Sequence, residues 1–146
     1  MIFDKQNLFS DDQAITTTAA SENVIDLGAL GTAAGPGGGN PPKTHYKAGS
    51  RGRIVCRVSG ADDFADLTSL IVSVQVDDAV GFGSVETILT SETFLAAALV
   101  KGKVLLDVQV PSRVNKRYIR LNYTVDGTAT AGRVTAGIVW DEQVNI

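Results

Sequence analysis

Hydrophobic and polar positions alternate most regularly near the C-terminal end. Ile119, Leu121, Tyr123 and Val125 interleave with Arg120, Asn122 and Thr124. After a Gly/Ala/Thr break, Val134, Ala136, Ile138 and Trp140 interleave with Arg133, Thr135 and Gly137. Alternate strand side chains point to opposite faces, so each half shows the core one face and water the other. The break from Gly127 to Gly132 has loop length for antiparallel neighbours, and 111–140 is predicted to be a long amphipathic hairpin.

Shorter segments carry the same signal. Asn23–Leu27 and Arg53–Ser59 read as strands. Thr68–Asp77 sets Leu70, Val72, Val74 and Val76 against Ile71, Ser73 and Gln75. Ser84–Thr90, Phe94–Val100 and Lys103–Val110 complete the set, although the Leu-Ala-Ala-Ala-Leu-Val of 95–100 also suits a helical turn. About eight short strands joined by Gly, Asp and Ser turns indicate an all-β, single-domain antiparallel sandwich or barrel, with a jelly roll the first choice. A single helical turn is possible at Ala61–Leu67; no long stretch keeps a helical apolar period. Two regions stand outside the pattern. Residues 1–21 are expected to form an extended N-terminal arm, and 32–52, rich in Gly and Pro, an exposed loop.

Composition narrows the function classes. The 146 residues carry a formal charge of −3, with 44% hydrophobic and 20% charged positions. A chain of this size buries roughly 68–70% of its unfolded surface and needs no metal or disulfide to fold. The acidic balance argues against a general nucleic-acid or anionic-membrane binder. No stretch reaches the roughly 20 apolar residues of a membrane-spanning helix. The opening MIFDKQNLFSDD is interrupted at once by Asp4 and Lys5, so no signal peptide is expected and synthesis in a cytoplasm is.

Candidate chemistry is sparse. Cys56 is the lone cysteine and shares a strand side with Ile54 and Val58, which points to a buried core thiol. His45 is the lone histidine, so no Ser/His/Asp set can be assembled with confidence. Gly35-Pro36-Gly37-Gly38-Gly39 is followed by Asn40-Pro41-Pro42 rather than Gly-Lys-Ser/Thr and a helix, so it is no phosphate loop. The acid pairs Asp62/Asp63 and Asp77/Asp78 sit at strand ends, where Asp serves turns. Asn122-Tyr123-Thr124 matches a glycosylation sequon, but mid-strand it is read as incidental. No catalytic residue, cofactor or metal is expected.

Contact chemistry is better represented. Lys43, His45, Tyr46, Lys47, Arg51 and Arg53 form one basic cluster, either a solvated loop or an arm that orders against an acidic partner. Arg117, Tyr118 and Arg120 stand out as well, and in the strand frame Tyr118 and Arg120 fall on the face opposite Ile119 and Leu121. They are either interface anchors or a stacking pair that covers the sheet.

Two segments carry a family resemblance. MIFDKQNLFSDDQAITTTAASENVIDLG at the start, and PSRVNKRYIRLNYTVDGTATAGRVTAGIVWDEQ near the end, resemble the small capsid cement (decoration) proteins of podovirus-type tailed bacteriophages. The shared features are the opening Phe-Asp, Asp-Gln-Ala-Ile-Thr followed by Ile-Asp-Leu-Gly, the Arg-Tyr-Ile-Arg-Leu-Asn-Tyr strand and the Thr-Ala-Gly-x-Val-Thr-Ala strand. The resemblance implies a jelly-roll virion protein that self-associates as a dimer or trimer on the outside of an icosahedral head. There it would bridge neighbouring copies of the major capsid protein. On that reading the arm offers Ile2, Phe3, Leu8 and Phe9 to a neighbour, and the Lys43–Arg53 loop and Tyr118/Arg120 are further interface elements. A carbohydrate-binding jelly roll on a tail or adhesion structure is the alternative. It would need clustered exposed aromatics, and aromatics are only 6% of the chain, with Phe82, Phe94 and Trp140 read as core or sheet-end residues.

Overall fold

The computed structural model describes residues 5–27, 52–60, 62–111, 114 and 116–139. The described residues form ten strands: β1 (Leu8–Ala14), β2 (Ala19–Ala20), β3 (Ile25–Asp26), β4 (Arg53–Ser59), β5 (Ala65–Asp77), β6 (Glu86–Thr90), β7 (Phe94–Leu95), β8 (Val104–Gln109), β9 (Tyr118–Ala131) and β10 (Arg133–Val139). They form an all-β sandwich. The four-stranded sheet has the order β1-β10-β4-β8; the six-stranded sheet has β2-β9-β5-β6, with β3 on β9 and β7 on β5. Every pairing is antiparallel. The described residues hold no α-helix, only single 3-10 turns at Lys5–Asn7 and Ala96–Ala98. The second is the helical turn that 95–100 allowed. The turn considered at Ala61–Leu67 does not form among the described residues there, since β5 already begins at Ala65.

Alternation places the core where it was expected. Ile54, Cys56 and Val58 of β4 and Val134, Ala136 and Ile138 of β10 face Leu70, Val72, Val74 and Val76 of β5 and Ile119, Leu121, Tyr123 and Val125 of β9. The β5–β9 pair is the spine, in unbroken register from Ser69↔Asp126 to Asp77↔Tyr118 and shifted twice between there and Ala65↔Ala131. Polar contacts at Tyr123 cross the core: its hydroxyl meets Ser10 Oγ at 2.7 Å and is hydrogen-bonded with the Cys56 thiol, and Ser10 Oγ donates to Gln13 Oε1 at 2.7 Å.

The expected hairpin does not form. β9 and β10 are consecutive, but β9 belongs to the six-stranded sheet and β10 to the four-stranded one. The reason lies in the connection. β9 runs through Gly127 (φ +88) to Ala131, which leaves only Gly132 (φ +132) between the strands. A hairpin needs at least two linking residues to lay its strands side by side. A single glycine instead turns the chain a corner, and the two apolar faces meet across the core.

The N-terminal arm also needs correction over its described part. β1 is an edge strand on β10, and β2 and β3 pair with β9. Leu8 (8% exposed) and Phe9 (0%) are buried within their own chain and are not free to enter a neighbour. Backbone pairing captured the segment even though its ladder is irregular, with register shifts on both sides of Ser10 and Asp12 at φ +53. Of the segment 32–52, only Gly52 is described; it is buried, and its carbonyl accepts the N–H of Val110 at 2.9 Å.

Candidate interaction surface

One end of the six-stranded sheet gathers cations and aromatic rings on its outer face. β5 and β9 finish together there, with Tyr118 opposite Asp77 and Arg120 opposite Gln75. Asp77 is only 4% exposed, and its carboxylate closes the loop that follows. It accepts the N–H of Ala79 at 3.0 Å and of Ser84 at 2.7 Å. The Ala79 N–H, with smaller help from Ser84, Asp78 and Lys116, outweighs desolvation and holds this carboxyl below its ordinary pKa.

That clasp positions Phe82. The residue has φ +50 and lies under Arg120, whose guanidinium carbon is 4.1 Å from the ring centroid. Arg120 Nε donates to Gln75 Oε1 at 2.9 Å. Stacking and partial burial lower the guanidinium's pKa through desolvation, and its planar fork is fixed before any partner arrives. Beside it, Arg117 donates from Nε and Nη2 to the two oxygens of Asp26, each at 3.0 Å, while lying 5.1 Å from the Tyr118 ring centroid. The Asp26 hydrogen bond is the main cause of the raised Arg117 pKa. Lys116 bonds Asp78 at 2.8 Å, and that hydrogen bond raises the ammonium's pKa. Val80, 65% exposed, projects from the clasped loop.

Tyr118 and Arg120 are therefore on the outer face, as the alternation required, but they do not stack on one another. Each has its own partner, Arg117 for Tyr118 and Phe82 for Arg120. Phe82 is a sheet-end residue outside the main core cluster. Leu8 and Phe9 lie in the other sheet, and the remaining candidates Ile2, Phe3, Lys43, His45, Tyr46, Lys47 and Arg51 fall outside the described residues. Arg53, last of the basic cluster, is held on the four-stranded sheet by Asp107 at 2.7 Å.

Sequence reasoning missed Asp26, and it read Phe82 as a core or sheet-end residue without foreseeing it as the partner of Arg120. Phe82 comes from a loop with no periodicity, and Asp26 meets Arg117 only through the β3–β9 pairing. Asp77 did read correctly as a turn residue; Asp63 instead ties two distant segments, accepting the N–H of Lys101 at 2.7 Å.

Among the described residues the one thiol, Cys56, is buried in the core rather than set on this surface. Burial pushes the Cys56 thiol up to about 12, against a smaller opposing effect of its hydrogen bond with Tyr123. Among the described residues no three His, Cys, Asp or Glu side chains converge as a metal-binding group. The arrangement is equipped for contact: oriented guanidinium groups, stacked rings and an apolar knob on a rigid sheet end. A family model described as Bbp16 matches residues 9–138. No curated protein matches the chain.

Proposed function

The chain belongs to the Bbp16 family, and we propose that it is a structural virion protein that decorates and cements the outside of a phage capsid, bridging neighbouring major capsid protein subunits. Its work is contact rather than catalysis, and it acts as a homo-oligomer. The likeness of its two terminal segments to phage cement proteins supports the reading. The observation that carries it furthest is the Arg120–Phe82 stack held by the Asp77 clasp. Side chains already oriented lose little entropy on contact, and Arg and aromatic residues are those that dominate interface energies. Several such modest contacts on one rigid oligomer sum to avidity without any single tight site.

The test uses heads that lack this protein. Wild-type chain should bind them and raise the temperature at which they lose DNA. Arg120→Ala combined with Tyr118→Ala should bind several-fold more weakly while keeping the wild-type circular dichroism spectrum. A reconstruction of intact heads with no density for the sandwich on the outer surface would overturn the proposal.

A further inference from the structure

Three cations stand at the sheet end that carries the clasped loop, and two of them are already neutralised. Lys116 bonds Asp78 at 2.8 Å, and Arg117 donates to both oxygens of Asp26 at 3.0 Å. Arg120 alone of the three makes no salt bridge among the described residues. Asp77 attracts its charge but is not bonded to it. That carboxylate is 4% exposed, and its two oxygens are taken by the N–H groups of Ala79 and Ser84. The Arg120 guanidinium is fixed on two sides. Its carbon lies 4.1 Å from the Phe82 ring centroid, and Nε donates to Gln75 Oε1 at 2.9 Å. Nη1 and Nη2 make no hydrogen bond with the described residues. The side chain is half-buried on the outer face of β9, and Val80, two residues before Phe82 in the clasped loop, is 65% exposed.

The chemistry of the free donors selects their partner. Two parallel N–H groups in one plane match the two oxygens of a carboxylate, which accepts them bidentately. A neutral acceptor would leave the guanidinium charge uncompensated once the contact excludes water, at a desolvation cost. A nucleic-acid phosphate would meet a chain whose formal charge is −3. Resting on the capsid-binding function set out above, we propose that Arg120 is the docking point for an Asp or Glu side chain of the major capsid protein, with Val80 packed against an apolar side chain beside that carboxylate. The clasped loop then acts twice. Phe82 holds the fork in the plane that a carboxylate must meet, and Val80 keeps water away from the charged bond, which strengthens it.

Binding of the full chain to heads that lack it tests the contact. Wild type should bind less tightly as salt rises, as a charge pair requires. Arg120→Gln keeps a donor but not the charge. At low salt it should bind about tenfold or more weakly, and it should lose most of the salt dependence. Arg120→Lys keeps the charge but not the fork, so its affinity should fall between the two. With that variant on heads, a zero-length carbodiimide should join position 120 to an Asp or Glu of the major capsid protein, identified by mass spectrometry of the linked peptides. If Arg120→Gln loosens the loop, seen as faster exchange of the Ala79 and Ser84 amides, the link through position 120 decides. Equal salt dependence in wild type and Arg120→Gln, or links from other lysines only, overturns the carboxylate at Arg120 and leaves capsid binding standing. Wild type that does not bind heads overturns both.

Discussion

Gly132 lies against the ring of Phe64: a Cβ added at position 132 would come within 2.2 Å of Phe64 Cδ1 and 2.4 Å of Cγ. The same glycine has φ +132 and is the entire link between the two sheets at this corner. Gly132→Ala therefore meets a steric and a backbone penalty at once. Overpacking and a disallowed φ each cost about 1–3 kcal/mol, so a loss of roughly 2–6 kcal/mol is expected in urea unfolding. Phe64→Ala in the same chain should not restore wild-type stability, because it removes the clash, opens a cavity and leaves the backbone strain.

Tyr123 and Ser10 tie the sheets together through the core at 2.7 Å. Tyr123→Phe removes the hydroxyl but leaves Ser10 bonded to Gln13, so the cost should be that of one net hydrogen bond, about 0.5–1.5 kcal/mol. Ser10→Ala should cost more, because it leaves the buried phenol only the weak contact with the Cys56 thiol. A double-mutant cycle should give positive coupling; additive losses would show that the contact contributes nothing to stability.

These residues also show what could be read in advance. The inward sets of β4, β5, β9 and β10 were legible because each keeps a period of two, and Tyr123 belongs to one of them. Their pairing was not. Alternation reports which side of a strand is apolar, and that signal is identical for neighbours in one sheet and for strands facing across a core. Only the shortness of the link at Gly132 decides between them, and it is hidden because β9 runs on through residues that look like loop. β1 was missed for a related reason: Asp11 and Asp12 and two register shifts break its alternation, so Leu8 and Phe9 looked like loose anchors. Arg120 was legible as an outward residue. Its ring partner was not, because Phe82 arrives from a loop about forty residues earlier.

Cys56 yields a prediction about reactivity and alkaline stability. A thiol whose pKa is raised to about 12 is neutral and shielded in the folded chain, so a thiol reagent at pH 8 should modify it only as fast as the protein unfolds. The linkage sign follows from the raised value. Below pH 9.0 the thiol is protonated in both states and adds no pH dependence. Between 9.0 and about 12 the unfolded chain ionises first, so folding stability falls as pH rises. The buried Tyr123 phenol, pushed above its ordinary 10.0, adds to the same decline. Cys56→Ala should lower stability at pH 7 through the cavity it leaves, yet flatten the loss between pH 9 and 10. An equal slope in both proteins would show that the thiol is not the group responsible.

The Asp77 clasp gives the opposite pH dependence. Its carboxyl is held below the ordinary 3.8, so the loop gains stability from the charged form above that value. This contribution is constant through neutral pH and is lost as pH falls from 3.8 through the depressed pKa. Asp77→Asn leaves one acceptor oxygen where two backbone N–H groups now bind, so the amides of Ala79 and Ser84 should exchange with solvent faster at pH 7. With the loop loosened, the Phe82 ring should sit less firmly under Arg120, and attachment to heads should weaken although no partner-facing side chain has changed. The expected signature is convergence: wild type and Asp77→Asn differ in amide exchange at neutral pH and approach one another only as pH falls through the depressed Asp77 pKa, below which both carry an uncharged side chain. A difference that persists unchanged into acid would assign the effect to shape rather than to the carboxylate.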